Sequence, residues 1–210
     1  VKVGAIDKPD ARKVHQVSIP RLGGLAIYIG YMVSLLYSVK DLSSVKGLIV
    51  GSIILVAVGI WDDIKQIGPK TKLMGQILAA LMLPIFGNAV HFISIGDHLL
   101  YLEYFAIPLT VFWIVGFTNI VNLIDGLDGL VSGVSIISLV TMGIVSYFFL
   151  PVPNLFLTMT IFVLVASIAG FFPFNYHPAI LYLGDTGALF IGFMISVLSL
   201  QGLKNATAVA

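Results

Sequence analysis

The sequence contains no cysteine. That excludes a disulfide framework, a thiolate nucleophile and any metal site built on sulfur, and it leaves the compartment open. Charge is nearly as scarce. Lys, Arg, Asp and Glu make up 10% of the chain against 59% hydrophobic residues, whereas a soluble domain carries about a quarter charged. So few charges cannot cover a folded surface in water. With a mean hydropathy of +1.06, the chain reads as an integral membrane protein. The net charge of +1 gives no electrostatic footprint for nucleic acid. No HExxH pattern occurs, and His15 and His177 are too isolated to argue for zinc. No secretory signal peptide is legible. The chain begins at Val1, so it reads as the N-terminal and central part of a longer protein.

What the sequence does have is long apolar runs. Seven stretches approach the roughly 20 residues a helical span needs: 22–39, 44–61, 72–88, 105–124, 129–150, 154–173 and 186–203. They are too long for barrel strands and lack period-two alternation. The expected fold is all-α, a polytopic transmembrane helix bundle of about seven spans forming one membrane domain over residues 1–210. Pro84 and Pro108 fall in or near spans, where membrane helices tolerate them. The long 88–104 segment reads as a loop.

Basic residues orient the bundle. Alternate threading puts Lys2, Lys8, Arg12, Lys13, Arg21, Lys65, Lys70 and the bordering Lys72 on one side, and Lys40, Lys46 and Lys204 on the other. The first side is expected to be cytoplasmic, and the 88–104 loop lies outside. Asp62, Asp63, Asp125, Asp128 and Asp185 all fall at cytoplasmic ends of spans. An Asp at mid-bilayer costs roughly 2.5–3.5 kcal/mol on insertion scales, so the interface is where five of them can stay ionised.

Four motifs carry this chemistry. "GIWDDIKQIGPKTK" sets Asp62 beside Asp63 as a span exits, an arrangement suited to a proton acceptor, a magnesium ligand or a plain solvated helix end. "TNIVNLIDGLDGL" spaces Asn119, Asn122, Asp125 and Asp128 three apart, and Gly126 and Gly129 suggest that the helix breaks where backbone comes close to something. Such amides and acids can hold a nucleotide or a hydrated cation, or clasp two helices together. "NYHPAILYLGDTGAL" supplies Asn175, His177 and Asp185; alone it reads as a helix cap with Asp185 at the N-cap and Thr186 opening the span. "DKPDARKVHQVSIPRLGG" brings Lys8, Arg12, Lys13, His15 and Arg21, which can hold phosphates or simply anchor the chain to the membrane. Carboxylates, amides and cations on one membrane face suit magnesium-assisted phosphoryl transfer between a soluble nucleotide and a lipid phosphate.

"PRLGGLAI", "WDD", "NLIDGLDGL" and "HPAILYLGDTGALFIG", in this order over nearly the whole chain, resemble the polyprenyl-phosphate N-acetylhexosamine-1-phosphate transferases of glycosyltransferase family 4. The wording is nearer the WecA and TagO branch than the MraY branch, whose "TPTMGG" stands here as "IPRLGG" and brings in Arg21. The resemblance implies transfer of a sugar-1-phosphate, N-acetylglucosamine-1-phosphate first among them, from a UDP-sugar to undecaprenyl phosphate. It implies that UMP is released, that Mg2+ is the cofactor, and that the product starts a cell-envelope polymer such as teichoic acid or lipopolysaccharide. It implies Asp62 as the base for the lipid phosphate with Asp63 assisting, and Asp185 as the metal ligand. Asn122, Asp125, Asn175 and Asp128 are implied at or near the nucleotide-sugar site, with Arg21, Lys13 and His15 as further substrate-binding candidates. Direct attack and an aspartyl intermediate both stay open. The family's histidine-rich loop and last spans are not found in the sequence, so the 210 residues are not expected to act alone. The expected partners are the UDP-sugar, undecaprenyl phosphate and the bilayer of a bacterial inner membrane, with no nucleic acid; a homodimer is left open. Two other readings compete. A transporter needs acids at mid-bilayer and inverted repeats, and neither is visible. A CDP-alcohol phosphotransferase needs a DGxxAR signature that "DGLDGL" lacks.

Overall fold

A computed structural model describes residues 6–7, 19–39, 42–90, 92–95, 98–150 and 153–207. Seven helices follow one another: α1 Gly23–Ser38, α2 Lys46–Lys65, α3 Pro69–Ile85, α4 Ala106–Ile124, α5 Leu130–Ile144, α6 Leu155–Asn175 and α7 Gly184–Thr207. They coincide with the seven expected spans, with shifted ends. α2 runs on through Asp62 and Asp63 to Lys65, and α6 continues past Pro173 to Asn175. Five helical stretches are long and apolar enough to cross a membrane: Lys46–Lys65, Glu103–Ile124, Leu130–Phe149, Leu155–Asn175 and Gly184–Leu203. α1 is a shorter apolar helix of 16 residues.

The 88–104 segment is not simply a loop. β3 (Phe92–Ile95) and β4 (His98–Tyr101) pair antiparallel there, so this connection satisfies part of its backbone in a ladder. A second ribbon joins β1 (Ile6–Asp7) to β2 (Ile19–Pro20). Neither changes the all-α class.

α7 runs through the middle and packs against α1, α2, α4, α5 and α6. Every residue from Thr186 to Met194 is buried. Lipid gives helices no hydrophobic reason to associate, so close packing through small residues has to hold them. A Cβ on Gly24 of α1 would lie 2.1 Å from the Gly187 Cα of α7, and one on Gly59 of α2 would lie 2.4 Å from the Thr186 Cα. The backbones therefore touch at these crossings. At "DGLDGL" the expected approach is found at Gly129 only: a Cβ there would sit 3.5 Å from the Asn175 carbonyl oxygen and the Tyr176 Cα, whereas one on Gly126 would meet nothing within 4 Å. The outer faces carry exposed Val33, Phe112, Leu123 and Ile137, as suits a lipid-facing wall.

Candidate active site

The adjacent aspartates close α2 and then part company. Successive residues on a helix point about 100° apart, so the two carboxylates face different neighbours. Asp62 turns to the α2–α3 connection. Its backbone carbonyl accepts from the Gln66 N–H at 2.8 Å, and its Oδ1 accepts from the Ile67 N–H at 2.8 Å. Its Oδ2 lies 2.7 Å from the ammonium of Lys72 in the first turns of α3. Asp63 turns to the start of α7, where Oδ1 accepts from the Asp185 N–H (2.8 Å) and Oδ2 from the Thr186 N–H (3.0 Å) and hydroxyl (2.6 Å). Both aspartates are buried.

A helix start leaves its first N–H groups without intrahelical partners. Here two helices have them satisfied from elsewhere in the chain. The Gly23 and Gly24 N–H groups of α1 donate to the Tyr182 and Leu183 carbonyls at 3.0 and 2.9 Å, and the Tyr182 N–H donates back to the Pro20 carbonyl at 2.9 Å. This pairing lays 20–24 alongside 182–183 and sets Arg21 next to Gly184. α7 is served by Asp63. The sequence expectation that Asp185 caps α7 is therefore corrected. The helix begins at Gly184, and the Asp185 Oδ1 turns outward to accept from Asn122 Nδ2 at 2.8 Å and from Lys72. A carboxylate from α2 already occupies the capping position.

Of the four polar residues that lead out of α4, three go to three different partners and Asp125 faces the cavity. Asn119 and Gln76 of α3 exchange amide hydrogen bonds at 2.6 and 3.3 Å, which is the helix clasp. Asn122 reaches Asp185. Asp125 ends the helix, and Gly129 (φ 72°) turns the chain into α5. The Asp128 Oδ2 accepts from the Ala179 N–H at 3.1 Å and lies 3.0 Å from His177 Nδ1, tying the α4–α5 turn to the α6–α7 connection. Asn175 is buried, accepts from the Ser132 hydroxyl at 2.8 Å and donates to the Leu181 carbonyl at 3.2 Å, pinning that connection to α5.

A cavity of about 760 Å³ opens between these connections, lined among others by Arg21, Asp63, Asn122, Asp125, Asp128, Asn175, Tyr182 and Asp185. Asp62 stands behind its wall with Lys72. Burial first, and then the charges of Asp185 and Asp63, push the Asp125 carboxyl up to about 7, against the opposing pull of Arg21. Asp125 thus binds its proton more tightly folded than unfolded. Stability is lost as pH rises from the ordinary value of 3.8 to about 7 and is level beyond. Asp125→Asn is therefore expected to stabilise the protein by about 2–4 kcal/mol at pH 8 and by nothing at pH 4, read by thermal unfolding in detergent with chelator present. Equal effects at both pH values would contradict this.

The cavity donors suit a hard cation. They are oxygens: the Asp185 Oδ2 and the Asp125 carboxylate, neither hydrogen-bonded among the described residues. Among the described residues no three acids or histidines gather round one point. A bound ion would draw one or two ligands from the protein and the rest from water and substrate phosphate, which is how Mg2+ is usually held. Of the sequence candidates, Arg21, Asp63, Asn122, Asp125, Asp128, Asn175 and Asp185 share the cavity. Lys13 and His15 lie outside the described residues. Lys72 entered the sequence reading only as a border charge, yet it joins Asp62 to Asp185. Its spacing of four from Gln76, a polar stripe on an apolar helix, was the available signal. Tyr182 had no such signal. The acids sit at helix ends, not at mid-span as a transporter would have them.

The family model for glycosyl transferase family 4 matches residues 45–203. The chain is 43% identical over 209 residues to a "probable undecaprenyl-phosphate N-acetylglucosaminyl 1-phosphate transferase" of Bacillus subtilis (strain 168), covering 98% of this chain and 58% of the relative. It is 32% identical over 205 residues to a phospho-N-acetylmuramoyl-pentapeptide-transferase of Streptococcus pneumoniae (strain Taiwan19F-14), covering 90% and 61%. A protein of the same name from Streptococcus pyogenes serotype M12 (strain MGAS2096) is 33% identical over 221 residues, covering 95% and 64%. The chain spans about three fifths of the length of these curated relatives.

Proposed function

The chain belongs to glycosyl transferase family 4, and from that premise we propose that it forms part of a longer enzyme that transfers a sugar-1-phosphate from a UDP-sugar to undecaprenyl phosphate. N-acetylglucosamine-1-phosphate is the group favoured by the Bacillus subtilis relative's name. UMP leaves, and the lipid-linked sugar starts a cell-envelope polymer of the teichoic-acid or lipopolysaccharide kind. The observation that carries this reading is a shared cavity in which three distant connections bring acids, amides and Arg21 together at one end of an apolar bundle. The excess of Lys and Arg at that end supports a cytoplasmic opening in the bacterial inner membrane.

In the net reaction, an oxygen of the lipid phosphate bonds to the sugar-linked phosphorus, and that phosphorus parts from the oxygen that leaves with UMP. Bound Mg2+ would neutralise diphosphate charge, held through Asp185 with Asp125 beside it. Arg21 faces the cavity as a phosphate-binding cation. Asn122 orients Asp185, and Asn175 and Asp128 hold the two connections that wall the nucleotide-sugar side. Asp62, paired with Lys72 behind the cavity wall, is the proton acceptor for the lipid phosphate in this reading, and its Oδ2 must exchange the Lys72 ammonium for the substrate to act. The test uses the full-length protein with undecaprenyl phosphate, Mg2+ and a panel of UDP-sugars. UMP release should require the lipid and the ion, with UDP-N-acetylglucosamine turned over fastest. No UMP from any UDP-sugar would end this reading.

A further inference from the structure

We propose that Asp63 is a positioning residue: it is the N-cap of α7 supplied from α2, and through it α2 fixes where Asp185 stands. The hydrogen bonds say what its carboxylate is for. An ionised carboxylate offers about four acceptor sites, and α7's first turn fills three of them with two backbone N–H groups and one hydroxyl. This is the job a Ser, Asp or Asn does at the start of its own helix, carried out here across 122 residues of sequence. The negative charge also lies where a helix start favours one.

The fit leaves no slack. Gly184 has φ 73°, and a Cβ there would meet the Arg21 carbonyl oxygen at 2.0 Å and both Asp63 oxygens at 2.8 Å. The carboxylate is seated directly on the backbone of 184–186, with Gly59 of α2 against Thr186 from the same side. So engaged, Asp63 neither takes a substrate proton nor holds a cation. It acts through Asp185, whose own Oδ1 is directed by Asn122 and Lys72. The adjacent aspartates therefore divide their work, Asp62 toward Lys72 and Asp63 toward the helix that carries Asp185.

The catalytic consequence rests on the proposed transferase reading; the capping itself does not. Five full-length proteins separate the two: wild type, Asp63→Asn, Thr186→Val, Thr186→Ser and the double variant Asp63→Asn/Thr186→Val. Asp63→Asn keeps one acceptor but sets an NH2 against the Thr186 N–H. It should lower kcat by about 10–100-fold, weaken Mn2+ binding read by electron paramagnetic resonance several-fold, and leave the inflections of the pH–rate profile in place. Thr186→Val should reproduce part of each loss, and Thr186→Ser should restore it. Thermal unfolding of Asp63→Asn, Thr186→Val and their double variant should show about tenfold coupling in the unfolding equilibrium constant. Loss of a limb of the pH profile in Asp63→Asn would make Asp63 a proton acceptor and overturn the proposal. Abolished Mn2+ binding in Asp63→Asn with none of the loss in Thr186→Val would make it a metal ligand and overturn it equally. If the wild type transfers nothing, the transferase reading fails by itself. The Mn2+ and unfolding measurements still decide the capping role, and absent coupling would refute it.

Discussion

Asp185→Asn is expected to lower sugar-1-phosphate transfer by the full-length protein by about a thousandfold, the scale of several kcal/mol of lost charge stabilisation. The substitution is close to isosteric. An asparagine oxygen can still accept from Asn122, so α7 should keep its place, and Asp63 still caps it. What disappears is the negative charge facing the cavity. Mn2+ binding read by electron paramagnetic resonance should weaken in parallel, whether or not substrate is present. One effect runs the other way. Asp185 is the largest of the neighbouring charges that raise the Asp125 proton affinity, so Asp125 should ionise at lower pH in the variant. Wild-type activity in Asp185→Asn would remove this residue from the metal site.

Lys72→Met is expected to destabilise the protein by about 3–5 kcal/mol, the cost of stranding buried charge. The Lys72 side chain is 15% exposed and lies between Asp62 at 10% and Asp185 at 27%. Methionine fills the same volume without the ammonium, leaving two acids close together with little water. The double variant Lys72→Met/Asp62→Asn should recover much of the stability, because one of the stranded charges goes with its partner. It should not recover transfer. Denaturant titration in detergent reads the first quantity and UMP release the second. A Lys72→Met protein as stable as wild type would show that the contact is a solvated surface pair.

The sequence located the seven helices because apolar runs mark them, five long enough to cross a membrane, and lipid permits little else. It also located the acids, because charge in so apolar a chain has few places to sit. The partners of those acids were out of reach. Asp62 and Asp63 are neighbours in the chain, yet one bonds across to α3 and the other to α7, a division set by helix rotation and by which helices lie alongside. The same holds for "GDTG". Local pattern makes Asp185 a cap, and only the packing of α2 against α7 reveals that the cap comes from Asp63. Asn119 and Asn122 lie three apart and serve different ends, a clasp with Gln76 and the support of Asp185. The hairpin in 88–104 escaped because its short strands stand between spans, where an apolar count reads only an interruption.

The backbone pairing of 20–24 with 182–183 has a mechanical corollary. Arg21 and Asp185 ride on segments bonded to one another, so the cationic and anionic walls are fastened to each other through backbone. The opposing wall is the Asp125–Gly129 turn, and its rim is joined to the α6–α7 connection through Asp128, His177 and Ala179. Moving that turn away from the α6–α7 connection would first part Asp128 from His177 and Ala179.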